Sequence, residues 1–538
     1  MQFIWVPYGA LEICDESYQA LCVRSYQTAP VAMLTFHLGA LWQDVFGNGI
    51  FALRCLARLC VVAAIAIGAL YYARRRKDVT GGCFLFMVCS LIASCAVLPL
   101  FNWDTGAYPF QALLLVTALE TLRRPRWWIC LALGGLCAVC TVARVPLAVT
   151  LPLALLLVWW RLRKRGQSSI MPLSAAVVSG FVVVWLLLTS AMCGSPAAYI
   201  ETFIPENFIS GHGPSDWHRL LWLAWVGIPE LPVAWLPLTA AVVVALICVR
   251  WRHMSAPFKG YFRAICGGWV IFTALFSAVW HEYISRGMVF AFDFPLFAGA
   301  ILIIPLWHLF RDRSLPIPWG TITVCLIAVA LTALGSDHWY ERYVSMFALP
   351  PLLAATADRY PSVLRLSMRY ILSACAVAAL TVFAVKFTNT YSSHRCDMSE
   401  FPLQQSIMGS AEDYSSWRSA RHCMEALGEI DARILFLSCP YGLSLSFTDT
   451  LPPYFNNFHF RDATSPEDVP AEVTSGYDAI VFSQTPPESV PNTIRAIGQN
   501  GFITIPSCYT TGYNGFVMIR SEKLQPFLRQ INQNRPLP

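Results

Sequence analysis

Apolar runs of bilayer length recur along this chain, at approximately 50–73, 82–101, 106–122, 127–143, 145–160, 170–193, 231–249, 263–280, 287–309, 316–334, 343–356 and 370–388. A spanning helix needs about 20 predominantly apolar residues, with roughly 17 to 25 tolerated, so the pattern predicts about twelve spans. Only 13% of residues are charged and 56% are hydrophobic, whereas soluble domains carry about 25% charged residues. Such a chain cannot hide its apolar surface in one aqueous core. The predicted fold class is an α-helical polytopic membrane protein. A nucleic-acid partner is excluded, because the arginine clusters are short and separated by apolar spans.

Basic residues fall in alternate loops. One set holds Arg74-Arg75-Arg76-Lys77, Arg123-Arg124 with Arg126, and Arg161 with Arg163-Lys164-Arg165. It continues through Arg250, Arg252, Lys259 and Arg263, then Arg311 and Arg313, then Arg359, Arg365 and Arg369. The other set holds Arg219, Arg286, Arg342 and little else. By the positive-inside rule the first set is cytoplasmic. The N-terminal stretch, the loop near 194–230, the loops at 281–286 and 335–342, and the tail then lie outside.

Residues 29–47 are too short and polar to span well. Leu34, Leu38, Leu41, Trp42 and Val45 share one helical face, with Thr35, Gln43 and Asp44 elsewhere, which predicts an interfacial helix on the outer surface. From about 391 charge rises and β-rich runs appear at 433–437, 479–482, 502–505 and 516–519, with helix-like stretches near 411–428 and 490–499. The expected division is a transmembrane domain over 1–390 and a small extracytoplasmic α/β domain with a mixed sheet over 391–538. Most of the 19 cysteines lie in apolar runs, where they act as small hydrophobes. Cys137 and Cys140 form a CxxC inside a span, with no second pair to complete a zinc site. The tail cysteines Cys396, Cys423, Cys439 and Cys508 face a disulfide-permissive compartment and allow three pairings.

Ionisable residues at the outer edge of spans are expensive and mark functional candidates. Asp15-Glu16 precedes the interfacial helix; paired carboxylates can act as a general base or hold a divalent metal, or simply open a helix. Asp104 lies in a tight outer loop and could join Asp15 at a catalytic or metal centre, or cap the next helix. Arg144, at the outer turn broken by Pro146, sits on the side the positive-inside rule does not explain. It reads as a clamp for a lipid phosphate, or as a snorkelling side chain. His281-Glu282-Tyr283 with Arg286, and His338-Trp339-Tyr340 with Arg342, each put a His, a Tyr and an Arg at an outer helix start. An anion bound by Arg286 or Arg342 would offset their clash with the helix dipole. His281, His338 and Tyr340 are secondary candidates, and an aromatic belt explains Trp339.

The order of these features resembles the GT-C glycosyltransferases, the class that includes protein O-mannosyltransferases and the aminoarabinose transferase for lipid A. The likeness rests on Asp15-Glu16 and an interfacial helix ending near Phe46-Gly47. It continues through Phe51-Ala52-Leu53-Arg54, Asp104, and the turn Thr141-Val142-Ala143-Arg144-Val145-Pro146, covering about the first 160 residues. The resemblance implies a polyprenyl-phosphate sugar donor and transfer to a lipid, glycan or protein acceptor at the extracytoplasmic face. It implies Asp15, Glu16 and Asp104 as catalytic carboxylates, Asp15 being the base or a metal-site residue, and Arg144 as a donor-phosphate contact. The expected location is the plasma (inner) membrane of a bacterium. Relatives have a spanning helix before the Asp–Glu pair. Here residues 1–14 precede it, so either the N-terminus starts outside or this start is late and a helix is missing. Many also carry a Lys beside the proline of Thr28-Ala29-Pro30-Val31, where this chain has none.

Competing readings are a flippase or transporter for a lipid-linked glycan, an O-antigen-type polymerase or ligase, and a non-catalytic scaffold. A transporter would place its charges at mid-membrane between inverted halves. Here the polar candidates gather at one face, which favours an enzyme.

Overall fold

The computed structural model describes residues 3, 6–11, 15–26, 32–96, 101–163, 170–202, 254–258, 301, 318–333, 346–357, 391, 393–437, 441–447, 467, 475–482, 491–511 and 513–533. The expected spans at 231–249, 263–280 and 370–388, and nearly all of 287–309, lie outside these residues.

Helices α1 (Asp15–Arg24) and α2 (Met33–Phe46) lead into α3 (Ile50–Arg76), α4 (Val79–Ala96), α5 (Trp103–Arg123) and α6 (Trp127–Ala143). A 3-10 turn (Val145–Val149) opens α7 (Thr150–Arg163), followed by α8 (Ile170–Cys193), α9 (Pro196–Glu201), α10 (Trp319–Ala333) and α11 (Leu349–Ala357). Among the described residues, Ile50–Arg76, Val145–Arg163 and Ile170–Cys193 are long and apolar enough to cross a bilayer. The part so described is that of a helical membrane protein. Helix α3 ends on Arg74, Arg75 and Arg76, cations that complement its C-terminal dipole, and Lys77 closes it in a left-handed conformation (φ 53°).

The helices pack in two groups that share α5. Ile65, Leu85, Leu115, Cys325 and Phe347 join α3, α4, α5 and α10 to the segment leading into α11. Leu34, Leu114, Leu133, Leu147 and Val177 join α2 and α5 to α6, the 3-10 turn and α8. Helices α6 and α8 meet backbone to backbone: a Cβ on Gly134 would overlap the carbonyl of Val177, and one on Gly180 that of Leu131. In lipid, where apolar side chains gain little by leaving the tails, such small-residue crossings supply the packing.

The tail carries a two-stranded ribbon, β1 (His394–Asp397) and β2 (Met408–Ser410). It continues with α12 (Ala411–Glu429), β3 (Ile434–Leu437), α13 (Tyr441–Phe447), β4 (Ala479–Phe482), α14 (Pro491–Gln499), β5 (Phe502–Thr511), β6 (Tyr513–Arg520) and α15 (Ser521–Gln533). The larger sheet has order β3-β4-β6-β5, parallel between β3 and β4 and antiparallel elsewhere. Leu435, Ile480, Phe482 and Phe516 face α14, while Phe436, Val481 and Val517 face the other way. Both faces are covered, so β3 and β4 read as continuous apolar runs. Cys396 and Cys423 are free thiols, not bridged; Cys423 is buried in the α12 core, where it packs as a hydrophobe. Cys439 and the side chain of Cys508 lie outside the described residues.

The tail is fused to the N-terminus. Met408 forms a parallel bridge with Tyr8, its N–H donating to Pro7 and its carbonyl accepting from Gly9. The indole of Trp417 donates to the carbonyl of Leu11, and the Leu11 N–H donates to Gln404. Leu21, Phe36 and Leu53 share one apolar cluster with Phe401, Trp417 and Leu427.

Candidate active site

The site grows from the N-terminus of α5. Asn102 caps this helix, its side-chain oxygen accepting from the N–H groups of Asp104 (3.0 Å) and Thr105 (2.8 Å), and Thr105 answers by accepting from the Asn102 N–H. The capping work is done, so the Asp104 carboxylate is left for something else. It meets Arg144 at 2.7 Å, and both side chains are about fully enclosed, at 1% and 2% exposure.

Arg144 reaches that position because the chain breaks there. Its N–H ends α6 on Cys140, and its extended backbone (φ −161°) and Pro146 turn the chain into the 3-10 segment. The guanidinium then points inward, Nη2 to Asp104 and Nη1 to the carbonyls of Thr332 (2.9 Å) and Leu331 (3.3 Å) at the end of α10. One arginine thus ties α5, α6 and α10 together.

Helix α2 closes the same corner. The Thr35 hydroxyl donates to the carbonyl of Ala143, next to Arg144, at 2.9 Å. Gly106 makes the approach feasible, since a Cβ there would overlap the Thr35 methyl. The expected interfacial face of α2 is divided: Leu38, Leu41 and Val45 are exposed, whereas Leu34 is buried and the Trp42 indole donates to Ala52. Thr35 and Gln43 are buried too.

The acidic pair at the start of α1 takes a second arginine. Glu16 receives Arg54 through two bonds of 2.7 Å, and both side chains are 6% exposed. The rest of the Arg54 guanidinium gathers the carbonyls of Val6, Tyr8, Gly9 and Ala10. Asp15 is the first residue of α1; its side chain lies outside the described residues. Tyr18, one turn on, packs edge-on against Trp103, ring centres 6.3 Å apart. That contact sets α1 beside the residue preceding Asp104.

An apolar cavity of ≈ 380 Å³ opens between α5, α7 and α10, lined by Leu115, Thr150, Leu157, Val324 and Leu331 among others. Leu331 both lines it and accepts from Arg144.

The chain is similar to two solved structures. One is the oligosaccharyltransferase of Archaeoglobus fulgidus, in complex with Zn and sulfate. It is 11% identical, with 94% of this chain and 69% of that chain covered and a TM-score of 0.48. The other is ArnT from Cupriavidus metallidurans bound to undecaprenyl phosphate, 15% identical over 96% of this chain and 95% of that chain, with a TM-score of 0.43. No protein-family model and no curated protein matches the sequence.

A divalent metal at Asp15 and Asp104 was one sequence expectation. Among the described residues no three His, Cys, Asp or Glu side chains converge, and the carboxylates of Asp104 and Glu16 are each already neutralised by an arginine. The side chain of Asp15, the other residue of that expectation, lies outside the described residues. Arg286, Arg342, His281, His338 and Tyr340, with most of the 194–230 loop, lie outside the described residues.

Sequence reasoning assigned no role to Arg54, or to Arg58 one turn deeper and fully buried. Both are cations buried within the long apolar helix α3. A cation so placed signals a buried partner, which for Arg54 is Glu16.

Proposed function

We propose that the chain transfers a sugar from a polyprenyl-phosphate donor to a lipid, glycan or protein acceptor at the extracytoplasmic face. The observation that carries this reading is the enclosed Asp104–Arg144 pair, tied through the carbonyl of Leu331 to the wall of an apolar cavity. A lipid phosphate needs the same combination: apolar walls for its chain and a guanidinium where the chain meets charge. As the sugar–phosphate bond breaks, negative charge grows on the departing lipid phosphate. Arg144, joined by Arg286 and Arg342, stabilises it. Asp15 accepts the proton of the acceptor hydroxyl or amine as its oxygen or nitrogen attacks the anomeric carbon. Glu16 and Asp104, held by Arg54 and Arg144, act as positioning residues: one orients the start of α1, the other the phosphate clamp. The tail, over 391–538, guides the acceptor and steadies the N-terminal segment.

The test is incubation of the purified protein with a panel of undecaprenyl-phosphate sugars, reading released lipid phosphate. Asp15→Asn is expected to abolish release while membrane insertion is kept. Full turnover by Asp15→Asn would remove Asp15 as the base. A flippase would move the donor across a vesicle bilayer with its sugar–phosphate bond intact, and that outcome would replace the reading.

A further inference from the structure

Gln111 is out of place in the cavity. Its neighbours are Leu114, Leu115 and Leu331, and it is 3% exposed. Neither its amide nitrogen nor its carbonyl oxygen has a hydrogen-bond partner among the described residues. A buried amide with both ends unmet is destabilising, and a leucine would fill the same space without that cost.

Its position is informative. Gln111 follows Asp104 by two helical turns on one face of α5, about 10 Å along the axis. Side chains on a helix lean toward its N-terminus, here toward the Asp104–Arg144 pair. Gln111 also shares the cavity wall with Leu331, whose carbonyl accepts from Arg144. Thr150 lines the same cavity, its hydroxyl donating to the carbonyl of Leu147 (2.7 Å).

We infer that Gln111 is a specificity-determining residue whose amide N–H donates to a phosphate oxygen of a single-chain lipid phosphate, and so separates that lipid from its free alcohol. The inference rests on the donor class proposed above. A neutral donor suits the place: it strengthens phosphate binding without disturbing the charge balance of Asp104 and Arg144. A lysine there would compete for Asp104, and a glutamate would repel the phosphate.

The experiment measures binding of undecaprenyl phosphate and of undecaprenol to the full chain in detergent, together with the lipid-free unfolding midpoint. Gln111→Leu is expected to weaken undecaprenyl phosphate about tenfold or more, the scale of a lost hydrogen bond to a charged group. Undecaprenol affinity should stay unchanged and the midpoint should rise. Gln111→Glu should lose undecaprenyl phosphate more completely and keep undecaprenol. Unchanged phosphate-lipid affinity, an equal loss for both lipids, or a lowered midpoint for Gln111→Leu would each overturn the inference. Failure of the unaltered protein to bind undecaprenyl phosphate would instead remove the donor reading itself, and this inference with it.

Discussion

Arg54 closes on Glu16 through parallel bonds, Nε to Oε1 and Nη2 to Oε2, each 2.7 Å, in a pocket nearly sealed from water. Buried pairs of this kind are weak evidence of net stabilisation, but removing one partner costs about 3–5 kcal/mol because a charge is stranded. Glu16→Gln should lower the unfolding midpoint of the purified protein. Arg54→Met should lower it further, since the carbonyls of Val6, Tyr8, Gly9 and Ala10 lose their donor as well. Equal midpoints for the two variants would show that the carbonyl contacts contribute nothing.

Asp104 and Arg144 make a different prediction, because a ligand phosphate competes for the same guanidinium. Asp104→Asn strands Arg144 and should cost about 3–5 kcal/mol without lipid. Undecaprenyl phosphate should then raise the midpoint of Asp104→Asn more than that of the unaltered protein, since a ligand stabilises in proportion to its affinity for the folded state. Arg144→Lys keeps the charge, yet a point ammonium cannot bridge Asp104 and two carbonyls at once. It should lose most of its transfer while retaining its fold. Thermal shift with and without lipid checks the first expectation and released lipid phosphate the second.

Gly106 and Thr35 set how closely α2 approaches the arginine. Gly106→Ala forces a methyl into the Thr35 methyl, overpacking that typically costs about 1–3 kcal/mol. Thr35→Ser removes that methyl and keeps the hydroxyl that reaches Ala143. Adding Thr35→Ser to Gly106→Ala should therefore restore part of the midpoint, a non-additivity readable in a double-mutant cycle.

In the tail, burial alone would raise the Asp478 pKa, but the N–H and guanidinium of Arg433 outweigh it and hold the carboxyl below the ordinary range. A group with a lowered folded value contributes stability above its unfolded pKa, about 3.9 for Asp, and loses it as pH falls through the folded value. Asp478→Asn should thus destabilise the β3–β4 edge at neutral pH, and the difference from the unaltered protein should vanish in acid. Hydrogen exchange of the Ile434–Leu437 amides across that range is the measurement.

Much of this was readable in one dimension. The apolar runs at 50–73, 127–143 and 170–193 are α3, α6 and α8, and the four β-rich runs of the tail lie in β3 to β6. Asp104 and Arg144 were singled out because each is a charge at an apolar edge. Their mutual contact was not legible, nor was the release of Asp104 from capping, which depends on Asn102 doing that work. Arg54 and Gln111 escaped because one polar residue in an apolar run has no periodic signature. Its meaning lies in what other helices bring to it.

The order of residues alone determined where the described part of this chain is helical and which helix ends carry basic clusters. A segment in hydrocarbon must satisfy its own backbone within itself, so length and flanking cations carry that information locally. Only the tertiary structure decided which arginine neutralises which carboxylate, and that the tail and residues 6–11 share a bridge and a core. Those outcomes follow from helix crossings set by small contacts such as Gly106 on Thr35 and Gly134 on Val177. Such side-chain volumes, summed over distant segments, leave no pattern along the chain.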